Sequence, residues 1–143
     1  MSTLEGWGFV TGLAALAAMV GPASAQDPAA AAAEQVARGQ ASYGKHCARC
    51  HGDAGQGTKK APAVVGKEAL PLDPRPGAKV RKTQFKTAKD VADFVVANMP
   101  GDKPGSLKAD EYFAILAFDL KANGVDLKQP VDATTAAAIT LHP

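Results

Sequence analysis

The stretch Cys47-Ala48-Arg49-Cys50-His51 decides how this chain is read. It holds both cysteines of the chain, and a histidine directly follows the second one. On a helical turn, residues three and four positions apart share a face, so both thiols and the imidazole point the same way. The stretch therefore predicts a helical turn that presents two sulfur atoms and one imidazole to a common object.

The pattern C-x-x-C-H is the attachment signature of a c-type haem. Thiols at this spacing can add to the two vinyl groups of one porphyrin, and the adjacent histidine can ligate its iron. We therefore predict one covalently attached haem c. Cys47 and Cys50 would form the thioether links, and His51 would be the proximal iron ligand.

Three other uses of neighbouring cysteines fit less well. A zinc site would need a second ligand pair, and only His46 and His142 remain to supply it. A thioredoxin-like dithiol would be expected in a βαβ context, and the sequence shows no strand pattern. A structural disulfide is awkward at this spacing and leaves the histidine unexplained.

Length and composition limit the chain to one small domain. It has 143 residues, of which 46% are hydrophobic and 21% charged, so a packed core is expected. A formal net charge of +2 at pH 7 is too small for a protein that binds nucleic acid. Two cysteines are too few for a disulfide-rich scaffold.

Residues 1–25 have the pattern of a secretory signal peptide. Residues 8–20 are apolar apart from Thr11, and a Gly-Pro pair and then Ala23-Ser24-Ala25 follow. This order predicts export to the periplasm with cleavage after Ala25. The exported protein would then not be integral to the membrane. No Lys or Arg precedes the apolar stretch, so an uncleaved membrane anchor is the alternative.

The first part of the exported chain combines one helix with a long irregular segment. After an alanine-rich lead-in at residues 26–33, we expect an amphipathic helix from Glu34 into the cysteines. Residues 52–86 show no sustained period and are rich in glycine and proline. A loop of this length needs something large and apolar to wrap, and a haem would supply it.

Two further helices are predicted after this loop. Thr87 followed by Asp90 resembles a capping box, and the helix that it starts should end near Met99. The last strong helix should run from about Lys108 to Ala122, with Asn123-Gly124 as its stop signal.

These patterns predict an all-α fold. The domain itself is placed at residues 34–124, and residues 125–143 form a C-terminal extension with a weak signal for a short helix at Asp132. No strand alternation and no internal repeat is visible in the sequence.

Over residues 34–124 the chain resembles a class I cytochrome c, the monohaem family with His/Met ligation. The C-x-x-C-H stretch is the specific part of this resemblance. Several shorter stretches support it because they follow one another in the order found in the family. They are Ala37-Arg38-Gly39 with Tyr43, Pro62 to Gly66, Met99-Pro100, and Glu111-Tyr112 to Asn123-Gly124. The resemblance implies a small cytochrome c fold, in which the N- and C-terminal helices cross and long loops wrap one haem.

The resemblance also implies roles for single residues. Gly39 would lie where the first and last helices cross, packed against Tyr112. The Pro62 carbonyl would accept a hydrogen bond from Nδ1 of His51 and so fix the ring. Met99 would be the distal iron ligand.

Elimination also points to Met99, because it is the single methionine after residue 25. Pro100 keeps the chain that follows it out of a helix. A lone methionine that only fills the core is the plain alternative. His46 is too close to Cys47 to reach the opposite face of the ring, which leaves His142 as the substitute ligand.

His/Met ligation would leave the iron with no open coordination site, so we predict an electron carrier and not an enzyme. It would pass single electrons between a redox-protein donor and acceptor.

Other classes of haem protein fit less well. A haem-thiolate sulfur-oxidising enzyme needs a third cysteine, and a dihaem peroxidase needs a second C-x-x-C-H. A cytochrome c′-type bundle has its motif near the C-terminus. A dedicated electron-transfer subunit of a periplasmic dehydrogenase or oxidase stays open as the alternative to a free shuttle.

Basic residues are concentrated in the long loop. The segment from Lys59 to Lys89 has nine basic and two acidic residues, a net charge of +7, whereas residues 90–143 have a net charge of −4. The segment could dock on acidic surfaces of redox partners, or its lysines could simply keep the loop solvated. Charge reversals at Lys59/Lys60 and at Arg81/Lys82 would distinguish the two.

Overall fold

A computed structural model describes residues 26–142 of the chain. The predicted signal peptide at residues 1–25 lies outside the described residues. Residues 26–142 form four α-helices and one short 3₁₀-helix, and they contain no strand, only an isolated bridge between Thr87 and Thr140. The predicted all-α class is confirmed.

None of the helices in this range combines the length and the apolar character that crossing a membrane requires.

The first helix, α1, spans Pro28–His46 and begins earlier than the expected start at Glu34. The Asp27 side chain accepts a hydrogen bond from the backbone N–H of Ala29 at 3.0 Å. Pro28 at the first helical position already has the φ angle that a helix needs. The alanine-rich stretch therefore forms the first turns of α1, and Ala32 is buried.

The helices that follow agree with the sequence pattern. A short helix, α2, spans Ala48–His51, and residues 52–86 contain no helix or strand. Helix α3 spans Ala88–Asn98, and the Asp90 carboxylate accepts a hydrogen bond from the Thr87 backbone N–H at 2.8 Å. Helix α4 spans Ala109–Ala122 and is followed by Gly124 in a left-handed conformation.

The tail after α4 packs against the rest of the domain. Val131 is buried, and both its backbone N–H and its carbonyl bond to the Gln35 side chain on α1, each at 2.7 Å. The 3₁₀-helix spans Thr135–Ala138, and Asp132 accepts hydrogen bonds at its start. The tail thereby closes the apolar core that α3 and α4 form.

Helices α1 and α4 cross at Gly39. A Cβ placed on Gly39 would lie 1.8 Å from the carbonyl oxygen of Ala114, so only glycine allows this approach. The resemblance paired Gly39 with Tyr112, but the nearest atoms belong to Ala114 and Ile115. The hydroxyl of Tyr112 instead donates to the Met99 carbonyl at 2.7 Å.

We expect Gly39→Ala to destabilise the haem-loaded protein by about 1–3 kcal/mol or more, because the backbone of α4 must move to admit the methyl group. Gly44→Ala is the matched control on the same helix, since no other atom lies within 4 Å of the added Cβ. That change should stabilise the protein by about 0.5–1 kcal/mol through helix propensity. Denaturant unfolding checks both, and equal effects of the two substitutions would contradict the close crossing.

Candidate functional site

A cavity of about 600 Å³ lies among α1, α2, the long loop, α3 and α4. Every site residue that the sequence predicted lines it: Cys47, Cys50, His51, Pro62 and Met99. Much of the remaining wall is apolar, with Leu70, Phe85, Val91, Phe94, Val95 and Ile115. Its volume falls within the range of small-molecule and cofactor sites, about 300–1,000 Å³.

Hydrogen bonds hold the C-x-x-C-H turn to the loop that follows it. The backbone N–H of Gly57 donates to the His51 carbonyl at 2.7 Å, and the Thr58 hydroxyl donates to the Cys50 carbonyl at 2.5 Å. Gly57 has φ +85°, and a Cβ there would lie 2.7 Å from the Ala63 nitrogen. A larger residue at Gly57 would therefore push away the part of the loop that carries Pro62.

The His51 ring is oriented by one hydrogen bond. Its Nδ1 atom lies 2.7 Å from the carbonyl oxygen of Pro62. A carbonyl can only accept, so Nδ1 carries the proton, and in neutral imidazole Nε2 then keeps its lone pair. This tautomer is the one that ligates a metal through Nε2.

Met99 reaches the cavity from a different element. Helix α3 ends at Asn98, and Met99 has extended backbone angles that turn the chain out of the helix. The hydrogen bond from Tyr112 to the Met99 carbonyl ties this residue to α4. The cavity therefore has a thioether on a segment separate from the C-x-x-C-H turn.

The other two histidines take different positions. Nε2 of His142 lies 3.0 Å from the Leu70 carbonyl, and His142 is not among the residues that line the cavity. His46 lines the cavity, and its Nε2 lies 3.4 Å from a carboxylate oxygen of Glu111.

The cysteine environment is unlike that of a redox dithiol or a thiolate metal site. Cys47 and Cys50 form no disulfide. Burial and the nearby Asp119 carboxyl raise the pKa of the Cys47 thiol to about 12, whereas reactive and metal-binding cysteines have lowered pKa values. Within residues 26–142, no three His, Cys, Asp or Glu side chains are grouped to hold a metal ion.

The residues present fit a haem. A porphyrin would supply four nitrogen ligands itself, and His51 and Met99, which both line the cavity, could supply further ligands to its iron. The turn offers two thiols for thioether bonds, and the apolar walls suit a large flat macrocycle.

Asp119 is a cavity residue with an ionisable side chain that the sequence did not predict. It lines the cavity, and its side chain is buried at 8% exposure. The helical spacing contained the signal, because Asp119 lies four and three positions after the apolar residues Ile115 and Leu116, which are both buried. Its charge argued against that position.

The inclusion of Arg81 among the docking residues was wrong. Arg81 is 9% exposed, and its guanidinium donates to the Pro71 and Thr83 carbonyls at 2.7 and 3.0 Å and also to the Leu72 carbonyl. It also lies 3.7 Å above the centre of the Phe85 ring. Arg81 therefore holds the long loop together and does not face a partner.

Comparison with known proteins places the chain in a family. The family model described as cytochrome c oxidase, cbb3-type, subunit III matches residues 34–118. This is more than half of the chain, and the chain belongs to this c-type cytochrome family. Its members carry covalent haem c, so the chain is a haem protein of electron transport, and the cytochrome c domain is an electron carrier without catalysis of its own.

A solved structure agrees with this assignment. A chain in the crystal structure of the sulfane dehydrogenase SoxCD from Paracoccus pantotrophus is 31% identical to this chain, with a TM-score of 0.57. The match covers 74% of this chain and 52% of that chain, so the present chain spans about half the length of its neighbour. A search of curated protein sequences found no significant match.

Replacing Arg81 by Gln should lower the free energy of unfolding by about 1–3 kcal/mol, because three carbonyls lose a charged donor and the Phe85 ring loses its cation. The exposed neighbour Lys82 is the matched control, and Lys82→Gln should change stability by less than about 0.5 kcal/mol. Denaturant unfolding of the haem-loaded proteins measures both. Equal stabilities would mean that Arg81 is an ordinary surface residue.

Proposed function

We propose that this chain is an exported, single-haem electron carrier, attached to haem c through Cys47 and Cys50 and ligating the iron with His51 and Met99. The observation that carries the proposal is the shared cavity, which these four side chains line together. The pattern of residues 1–25 supports export to the periplasm, and the single C-x-x-C-H stretch supports one haem.

A haem in this cavity supplies a one-electron Fe(III)/Fe(II) couple. The chain's own residues set how that couple behaves. The Pro62 carbonyl holds the His51 ring and increases its donor strength. The thioether of Met99 is a soft ligand that favours Fe(II), and apolar walls exclude water, so both raise the reduction potential.

A dedicated electron-transfer subunit is the second candidate. It is favoured by the family description, which names an oxidase subunit, and by the structural neighbour, which is part of a dehydrogenase. A subunit would be held by one enzyme, whereas a shuttle must dissociate between partners. Gel filtration of a native extract separates the two, because the haem elutes at the size of one small domain for a shuttle and with a large complex for a subunit.

The basic segment supports docking of redox partners near the cavity. Of its nine cations, Lys60, Arg75 and Lys79 are exposed and also line the cavity. Val80, beside Lys79, also lines the cavity and is 59% exposed. A positive rim with a small apolar patch suits brief contact with an acidic partner surface, since charge raises the association rate without requiring a large buried area.

In the first test of this proposal, Met99→Ala should open the iron to added imidazole, lower the reduction potential, and abolish the weak red absorption of Met-ligated Fe(III). The haem should remain attached, because both cysteines are intact, and haem staining after denaturing electrophoresis checks this. Val95→Ala is the control, since it enlarges the same cavity but leaves the thioether. Wild-type protein without stained haem, or an unchanged spectrum in Met99→Ala, would contradict the proposal.

In the second test, Lys60/Lys79→Glu should slow the second-order reaction with the physiological partner and weaken its dependence on ionic strength. Charges on the rim steer association, and salt screens them over about 10 Å at 0.1 M. Lys67/Lys86→Glu makes the same change in net charge at exposed residues that do not line the cavity. If both double variants slow the reaction equally, the rate depends on the net charge of the protein and not on the cations at the rim of the cavity.

A further inference from the structure

Asp119 is a polar group without a partner in an apolar setting. It lines the cavity from α4, and among the described residues its Oδ1 atom has no hydrogen-bond partner. Ile115, one helical turn before Asp119, lines the same cavity and is a buried member of an apolar cluster. Burying an unpaired carboxyl costs free energy, and an apolar side chain would pack there at lower cost. A structural role therefore does not explain this residue.

We propose that Asp119 is a proton-binding group coupled to the oxidation state of the iron. The inference rests on the proposed function, because it needs a haem in the cavity. On reduction, one electron from the donor protein converts Fe(III) to Fe(II), and a proton from solvent binds to the Asp119 carboxylate. On oxidation by the acceptor, the electron and the proton both leave.

The coupling follows from charge and burial. A ferric haem has one positive charge more than a ferrous haem, and in an apolar cavity that charge is weakly screened. Burial raises the pKa of Asp119 to about 8 in the chain alone, and the added positive charge lowers the pKa in the ferric state. The ferric pKa is then the lower of the two, so the reduction potential must fall as pH rises between them.

Other ionisable groups also line the cavity. Burial and Asp119 raise the pKa of Tyr43, so this phenol stays protonated. The thiols of Cys47 and Cys50 no longer titrate once they are thioethers, and α3 contributes only apolar residues to the wall. The remaining ionisable side chains of the lining are those of His46, His51, Asp102 and the cations Arg49, Lys60, Arg75, Lys79 and Arg81.

The test is the reduction potential of the haem-loaded protein from low pH up to and through about 8, which is the pKa of Asp119 without the ferric charge. For the wild type, the Fe(II)/Fe(III) ratio at fixed potential should fall with rising pH, by at most tenfold per pH unit, or about 59 mV for one electron. Asp119→Asn should remove this slope and keep the potential of the wild type at low pH. Asp119→Leu should do the same, so the test survives if one variant folds poorly.

Asp110→Asn is the matched control, because it removes an exposed carboxylate from the same helix and should keep the slope. Redox-difference infrared spectra give a second readout, since a protonated carboxyl band should appear on reduction and be missing in both Asp119 variants. A wild-type potential that does not change with pH anywhere in this range, or a slope that persists without Asp119, would overturn the inference. Absence of any reversible one-electron couple would instead overturn the proposed function.

Discussion

The contact between Gly39 and the backbone of Ala114 is the constraint on which the rest of the site depends. Helix α1 ends at the C-x-x-C-H turn, so the depth of this crossing decides how far the turn lies from α4. Ile115 and Asp119 follow Ala114 on α4, and both line the cavity. A side chain at Gly39 would separate the two helices and change the space between them. This backbone contact has no chemical function, but it positions the side chains of the cavity that do.

Sequence reasoning succeeded where the signal is local. The Thr87–Asp90 pair and the glycine after Asn123 are read from adjacent residues, and the helix boundaries they predict are those of the structure. The early start of α1 was missed, although Asp27 before a proline is a local signal of the same kind. Arg81 could not be placed, because its carbonyl partners depend on the path of an aperiodic loop.

In the candidate site, too, the residues with a local sequence signal were predicted and the others were not. The motif identified Cys47, Cys50 and His51, and Met99 stood out as the single methionine after residue 25. The sequence could not show which of the nine basic residues border the cavity, because they lie mainly in a loop without helical or strand periodicity. Asp119 shares a helix face with the buried Ile115, but an ionisable residue is expected to avoid a buried face unless it is paired, so the spacing did not identify it.

Charged side chains lie both at the solvent-exposed rim of the cavity and in its buried wall, and dissolved salt affects these two groups differently. Lys60, Arg75 and Lys79 lie at the solvent, where salt screens them within a Debye length. Asp119 is buried, and ions in solution would screen its interaction with a haem in the cavity far less. With a haem in the cavity, the outer cations would favour Fe(II) and attract an acidic partner surface, whereas an ionised Asp119 would favour Fe(III). In the proposed carrier, the rate of docking would therefore respond to ionic strength, whereas the balance between the oxidation states would respond to pH.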